Sequence, residues 1–84
     1  MITYYRVMNM YLTFGEKLRQ LREDADLSQS ELGEIINVSQ RKISYIECGE
    51  CEPSLDDIRS ICAYFSISSD YMLGLPKDLP YPKR

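Results

Sequence analysis

The chain has no histidine, which removes the commonest general base and the commonest metal ligand in one stroke. It also lacks a phosphate-cradling glycine loop, a paired-carboxylate pattern and a metal-ligand cluster. No enzyme activity and no cofactor are therefore expected, and no small-molecule ligand is evident. No apolar run approaches the ~18–20 residues needed to span a membrane. Residues 2–12 are mixed polar and aromatic, without the uninterrupted apolar core and small-residue cleavage site of a signal peptide. A cytoplasmic protein is the expectation. The cysteines are odd in number, Cys48, Cys51 and Cys62, which does not suggest a secreted disulfide framework. A basic excess is missing too: 10 Lys and Arg against 13 Asp and Glu leave a net charge of −3. That balance argues against a surface that grips nucleic acid everywhere, but it leaves room for a small basic patch. What remains is one domain of 84 residues, with 44% hydrophobic residues to form a core without metal or disulfide staples.

Leu27 to Gly49 is the most informative stretch. Ser28 is placed to cap a helix, and Glu31 three residues on completes a capping box. Leu32, Ile35 and Ile36 then give one apolar face at i, i+3 and i+4. Asn37 is suited to the left-handed conformation that closes a helix. Val38 can plug the corner and Ser39 can cap a second helix, running from Gln40 to about Cys48. That helix should bury Ile43 and Ile46 and present Gln40, Arg41, Ser44 and Tyr45 on its other face, with Gly49 as its stop. Two short helices joined by such a turn make a helix-turn-helix.

Elements on either side follow the same rules. Thr13 and Glu16 form another capping box, opening a helix from about Phe14 to Ala25. Phe14, Leu18 and Leu21 share its inner face, extended by Ala25 and Leu27, while Glu16, Lys17, Arg19, Gln20 and Glu23 should face solvent. After Gly49 comes a loop through Pro53. Ser54 caps a fourth helix with Asp56 and Asp57 in its first turn, and Leu55, Ile58, Ile61, Cys62 and Phe65 on its inner face. Ser68 or Ser69 caps a fifth, packed by Tyr71, Met72 and Leu73 and ended by Gly74. The expected architecture is all-α: a five-helix domain over residues 13–74 with the helix-turn-helix at its centre. Residues 1–12 precede it, read as a dimer contact, as packing on the chain's own domain, or as an upstream start before Met8 or Met10. Residues 75–84 follow, with Pro76, Pro80 and Pro82, and are expected to be an extended tail.

Leu27-Ser28-Gln29, Glu31-Leu32, Asn37-Val38-Ser39, Ile43-Ser44-Tyr45-Ile46-Glu47-Cys48-Gly49 and Pro53-Ser54-Leu55 stand in a fixed order at fixed spacings. In that ordered set the chain resembles the phage repressor and Cro-like family, the XRE-type helix-turn-helix proteins. The resemblance spans roughly Phe14 to Gly74. It implies a transcriptional regulator, a repressor by preference, that binds a palindromic double-stranded DNA operator as a homodimer. Helix 40–48 would enter the major groove, where Gln can read adenine and Arg can read guanine. The candidate DNA-binding residues are Gln29, Ser39, Gln40, Arg41, Lys42, Ser44 and Tyr45. Gln29 matches the family's phosphate-contacting glutamine, aided by the open amides at its helix terminus. Lys42 is better placed for phosphate than for bases. The resemblance also implies an ion pair between Arg22 and Glu47.

One departure stands out. Glu47, Glu50, Glu52, Asp56 and Asp57 carry the segment 47–57 without a Lys or Arg, whereas relatives commonly place basic residues just after the Gly at position 49, where the loop meets the phosphate backbone. Backbone amides of this loop would have to supply any phosphate contact there, and non-specific affinity and its salt dependence should be small. The acidic segment and the apolar N-terminus support an alternative, an antitoxin-like or anti-repressor module that holds another protein. Cys48-Gly49-Glu50-Cys51 is formally a C-x-x-C. With no histidine and with Cys62 expected in the core, it is read as chance before it is read as a thiol sensor or half a zinc site.

Overall fold

Each helix of the described residues starts on a hydroxyl: Thr13, Ser28, Ser39, Ser54 and Ser68 each accept a hydrogen bond from an amide of the turn they open. The computed structural model describes residues 12–75. They form α1 (Phe14–Asp24), α2 (Gln29–Ile36), α3 (Gln40–Glu47), α4 (Leu55–Phe65) and α5 (Ser69–Leu73). The expectations for residues 1–11 and 76–84 lie outside the described residues. Capping boxes close at Thr13–Glu16 and Ser28–Glu31 as read from the sequence. A further one forms at Ser54–Asp57, where Asp does the work of Glu. In the first two, the backbone N–H of Thr13 or Ser28 and its hydroxyl hold the Glu carboxyl below its ordinary pKa. Asn37, at φ 62°, and Gly74, at φ 71°, end α2 and α5 in the left-handed conformation. Ser66 at φ 55° does the same for α4, and Asp26 at φ 57° turns the chain after α1.

The core is built from Leu18, Leu32, Ile36, Ile43, Ile46, Ile61 and Met72, with Phe14, Leu21, Leu27, Val38, Cys62, Phe65 and Ile67 packed around it. Several expected core residues are not in it. Ile35 is 41% exposed. The buried stripe of α2 is Leu32, Gly33 and Ile36, and at about 100° per residue its centre lies between Leu32 and Gly33, so Ile35 falls outside it. Leu55 is 75% exposed because α4 turns Asp57 and Ile61 inward instead. Ala25 lies past the end of α1 and is exposed. Of the α5 trio only Met72 is buried, while Tyr71 and Leu73 stay partly exposed.

Lys17 reverses its expectation in the other direction. It is buried, its ammonium donates to the Tyr71 carbonyl at 2.6 Å, and it lies 4.7 Å from the centre of the Tyr71 ring. The cation thus meets the negative end of α5 and an aromatic face at once. It ties the first turn of α1 to the last of α5.

Two glycines set how closely the helices approach. A Cβ on Gly15 would collide with the Ile46 carbonyl oxygen and lie 2.8 Å from that of Glu47. One on Gly33 would lie 2.5 Å from the Val38 carbonyl oxygen. Alanine normally stabilises a helix by about 0.5–1 kcal/mol over glycine. Gly15→Ala is expected to do the reverse and to cost roughly 1–3 kcal/mol by forcing α1 off α3. Thermal melts of the variant and the parent chain decide the sign.

Candidate nucleic-acid interface

α2 and α3 meet through Asn37, Val38 and Ser39. The Val38 amide donates to the Gly33 carbonyl at 2.8 Å, and the Ser39 hydroxyl accepts from the Lys42 amide at 3.1 Å. The inner side of α3 is spent on Ile43 and Ile46. Gln40, Arg41 and Tyr45 are therefore left exposed and Ser44 half-buried. Arg41 forms no ion pair among the described residues.

Behind this face runs a connected polar network. Arg22 of α1 places its guanidinium fork on Glu47 of α3, Nε to Oε2 at 2.7 Å and Nη2 to Oε1 at 3.1 Å. Its third donor, Nη1, reaches the Leu27 carbonyl at 2.9 Å. The two side chains are only 12% and 4% exposed, so this expected pair is shielded from water. The hydrogen bonds to Glu47 and its charge raise the Arg22 pKa above its ordinary value against the pull of burial. Glu47 Oε1 also accepts from Gln29 Nε2 at 3.1 Å, and Gln29 Oε1 accepts from Gln40 Nε2 at 2.6 Å. Gln40, the first residue of α3, is thus held by α2, which is held by the end of α3, which is held by α1.

The backbone donors divide between two places. At the start of α2 the cap occupies the amides of Ser28 and Glu31. Those of Gln29 and Ser30 find no acceptor among the described residues, which leaves a helix terminus open to an anion. The loop after α3 is the opposite case. The amide of Gly49 donates to the Ile46 carbonyl, and those of Glu50 and Cys51 donate to that of Tyr45, at 2.9–3.3 Å. They close the end of α3 at φ +80° on Gly49, so these three donors are not available to phosphate. The expectation that amides of this loop would compensate for its acidic side chains fails for them, because the carbonyls ending a helix need partners first.

Lys42 departs from the simple picture of a phosphate contact. Its ammonium lies 2.7 Å from Asp57 Oδ2. Asp57 accepts at the same time from the Ser54 amide at 2.9 Å, as the reciprocal half of the α4 cap. Burial alone would push the Asp57 carboxyl up. The hydrogen bonds from Lys42 and Ser54 outweigh it and hold the pKa below the ordinary carboxylate value. The cysteines carry free thiols: Cys48 is exposed, Cys51 half-buried, and Cys62 half-buried with its pKa raised by burial. No cluster of metal-ligating side chains occurs among the described residues.

The sequence reading placed Lys17 on the solvent side, and it put Asp57 in the first turn of α4, where it lies, without naming it as a capping-box partner or an ion-pair partner. Lys17 sits at i+3 from Phe14, on the apolar stripe, which was the available signal. Asp57 sits three residues after Ser54, the spacing of a capping box.

A helix-turn-helix domain family model matches residues 13–70. The chain belongs to this helix-turn-helix domain family. Among its relatives, the HTH-type transcriptional activator BcrR of Enterococcus faecalis is 37% identical over 63 residues, covering 75% of this chain and 31% of BcrR. The HTH-type transcriptional regulator ImmR of Bacillus subtilis is 27% identical, over 75% of this chain and 50% of ImmR. The chain thus spans half or less of the length of these two relatives. Among solved structures, the P22 c2 repressor in complex with a synthetic operator superposes with a TM-score of 0.70 at 31% identity, over 74% of this chain and 94% of that one. The all-helical fold and its central helix-turn-helix are those of the phage repressor DNA-binding domains. No helix among the described residues is long and apolar enough to cross a membrane.

Glu47→Ala leaves the Arg22 guanidinium shielded and unpaired, and it is expected to cost roughly 3 kcal/mol. Replacing both partners by apolar residues of similar volume should recover part of that loss, read by chemical denaturation. Asp57 predicts a pH dependence of definite sign. Its folded pKa is lowered, so its contribution is present above the unfolded value of about 3.9 and is lost as the pH falls through the folded one. Melting temperature plotted from about pH 6 down to about pH 2.5 is expected to fall less steeply below about pH 4 for Asp57→Asn than for the parent chain.

Proposed function

We propose that the chain is a sequence-specific double-stranded-DNA-binding transcriptional regulator that acts as a repressor by occupying a promoter. The reading is carried by the exposed face of α3, where Gln40 and Arg41, which forms no ion pair among the described residues, stand at the helix start beside a network anchored by Glu47. The major groove, about 12 Å wide, admits such a helix and offers its base edges to the residues at its N-terminus. Gln40 reads an adenine and Arg41 a guanine. Ser44 and Tyr45 reach the next bases or a phosphate, with the Tyr45 ring suited to a thymine methyl. Gln29 and the open amides of Gln29 and Ser30 hold a phosphate at the start of α2, and Ser39 fixes the entry of α3 as its cap. The P22 c2 repressor of similar fold was solved on an operator, which supports DNA as the partner. The membership in a family of transcriptional regulators, together with the absence of a histidine, supports a non-enzymatic role.

The regulator works as a homodimer on a palindrome, with half-sites about 34 Å apart. Tyr71, Leu73 and Leu75, each 41–49% exposed at the end of the domain, are the apolar surface on which the second copy is placed.

Selection from a pool of random duplex DNA at moderate salt tests this reading, with Arg41→Ala run in parallel. The expected result is an enriched palindrome that Arg41→Ala relaxes at one base pair per half-site, by about 1–3 kcal/mol. A pool that stays random even at low salt would remove the DNA-reading role and leave the protein-holding alternative.

A further inference from the structure

We propose that Asp57 withholds Lys42 from DNA: Lys42 is a structural cation, and Asp57 is a positioning residue that limits how much phosphate the recognition helix can engage. The proposal rests on the DNA-binding reading above and adds to it. Lys42 follows Arg41 in the first turn of α3, so by position it is a phosphate donor. Its ammonium is nevertheless committed, 2.7 Å from Asp57 Oδ2.

The two partners are not equally free to leave. The Asp57 side chain is 7% exposed and that of Lys42 is 35% exposed. Asp57 is also fixed by the α4 cap, since the same oxygen, Oδ2, accepts from the Ser54 amide and the cap requires it there whether or not Lys42 is present. A phosphate competing for Lys42 must therefore break a charge-assisted hydrogen bond and leave a shielded carboxylate behind. The outcome is that Arg41 is the cation α3 brings to the groove, and Lys42 joins α3 to α4.

Counterion release gives a direct readout. Each phosphate neutralised on duplex DNA steepens the slope of log affinity against log salt by about 0.9. Equilibrium binding of the whole chain to a duplex of unrelated sequence and to the selected operator is measured from about 50 to about 200 mM salt. Asp57→Asn keeps an acceptor for the Ser54 amide but removes the charge that holds Lys42. It is expected to steepen the slope by about 0.9 and to tighten binding by roughly three- to tenfold at moderate salt. Lys42→Met alone is expected to leave the slope where it is, and Asp57→Asn placed on top of Lys42→Met should add nothing.

Two results would overturn the assignment. A slope flattened by Lys42→Met would mean that the lysine already neutralises a phosphate. A steepening by Asp57→Asn that persists without Lys42 would place the effect in lost repulsion from the carboxylate. Circular dichroism establishes that each variant is folded, and Lys42→Met, which leaves the α4 cap intact, decides the matter if Asp57→Asn is not. Failure of the parent chain to bind either duplex would overturn the DNA-binding reading itself. That outcome is distinct, because the slopes are compared only against a parent that binds.

Discussion

The carboxylate of Glu47 is the point on which the arrangement of this domain depends. It stands at the last residue of α3, yet it fixes the beginning of that helix as well. One oxygen takes Arg22, and the other takes Arg22 and Gln29 together. Through Gln29 the constraint passes to Gln40. A short helix of eight residues has little intrinsic stability in water. Its direction must come from what it packs on and what it is tied to. Ile43 and Ile46 supply the first, and Glu47 supplies the second. An apolar replacement of equal volume could fill the same space, but it would carry no directional bond to Gln29. The ion pair is therefore better understood as fixing geometry than as adding net stability, since shielding a charge pair costs much of what the pair returns.

Close approach is what makes the network reachable. Gly15 lets α1 lie against the carbonyls of Ile46 and Glu47, and Gly33 lets the turn fold back onto α2. With a side chain at either position the helices would stand further apart, and the bonds near 3 Å on which Glu47 depends would lengthen. Hydrogen bonding weakens quickly with such displacement. The glycines and the carboxylate thus belong to one device, although they lie on different helices.

Much of this was legible in the sequence, because it is local. Thr13, Ser28, Ser39, Ser54 and Ser68 announce five helices, and Asn37 and Gly74 announce the ends of two of them. The spacing of Leu18, Leu32, Ile36, Ile43, Ile46 and Ile61 marks the core. The Arg22–Glu47 pair came from the resemblance to the repressor family and not from spacing. What was not legible is phase. Periodicity says that a helix has an apolar side, but the neighbours decide which residues at its edges are covered. Ile35 lost its place because Gly33 draws α2 toward the turn. Leu55 lost its place because Asp57 points inward to Lys42. Lys17 was buried because the carbonyl end of α5 arrives beside it, a fact no local pattern holds. The committed amides of the 49–51 loop were missed for a similar reason: the way α3 closes decides where they point.

The charge of the interface bears on discrimination as well as on strength. Phosphate contacts add to the binding of every sequence alike, whereas base contacts separate one sequence from another. On the proposed DNA-binding reading, a chain of net charge −3, with Glu50 and Glu52 exposed beside α3 and Lys42 drawn toward α4, would give up affinity that is the same everywhere on a genome. On that reading, Gln40 and Arg41 would contribute only where the bases suit them. Because the relevant quantity is the ratio of specific to non-specific binding, an interface poor in phosphate contacts loses strength without losing selectivity. In the proposed homodimer, pairing two copies would restore the strength, since the second half-site is met at high effective concentration once the first is held. An acidic regulator of this fold is thereby consistent with selective binding. As the proposed homodimer, it would depend more on its dimer contact than a basic one.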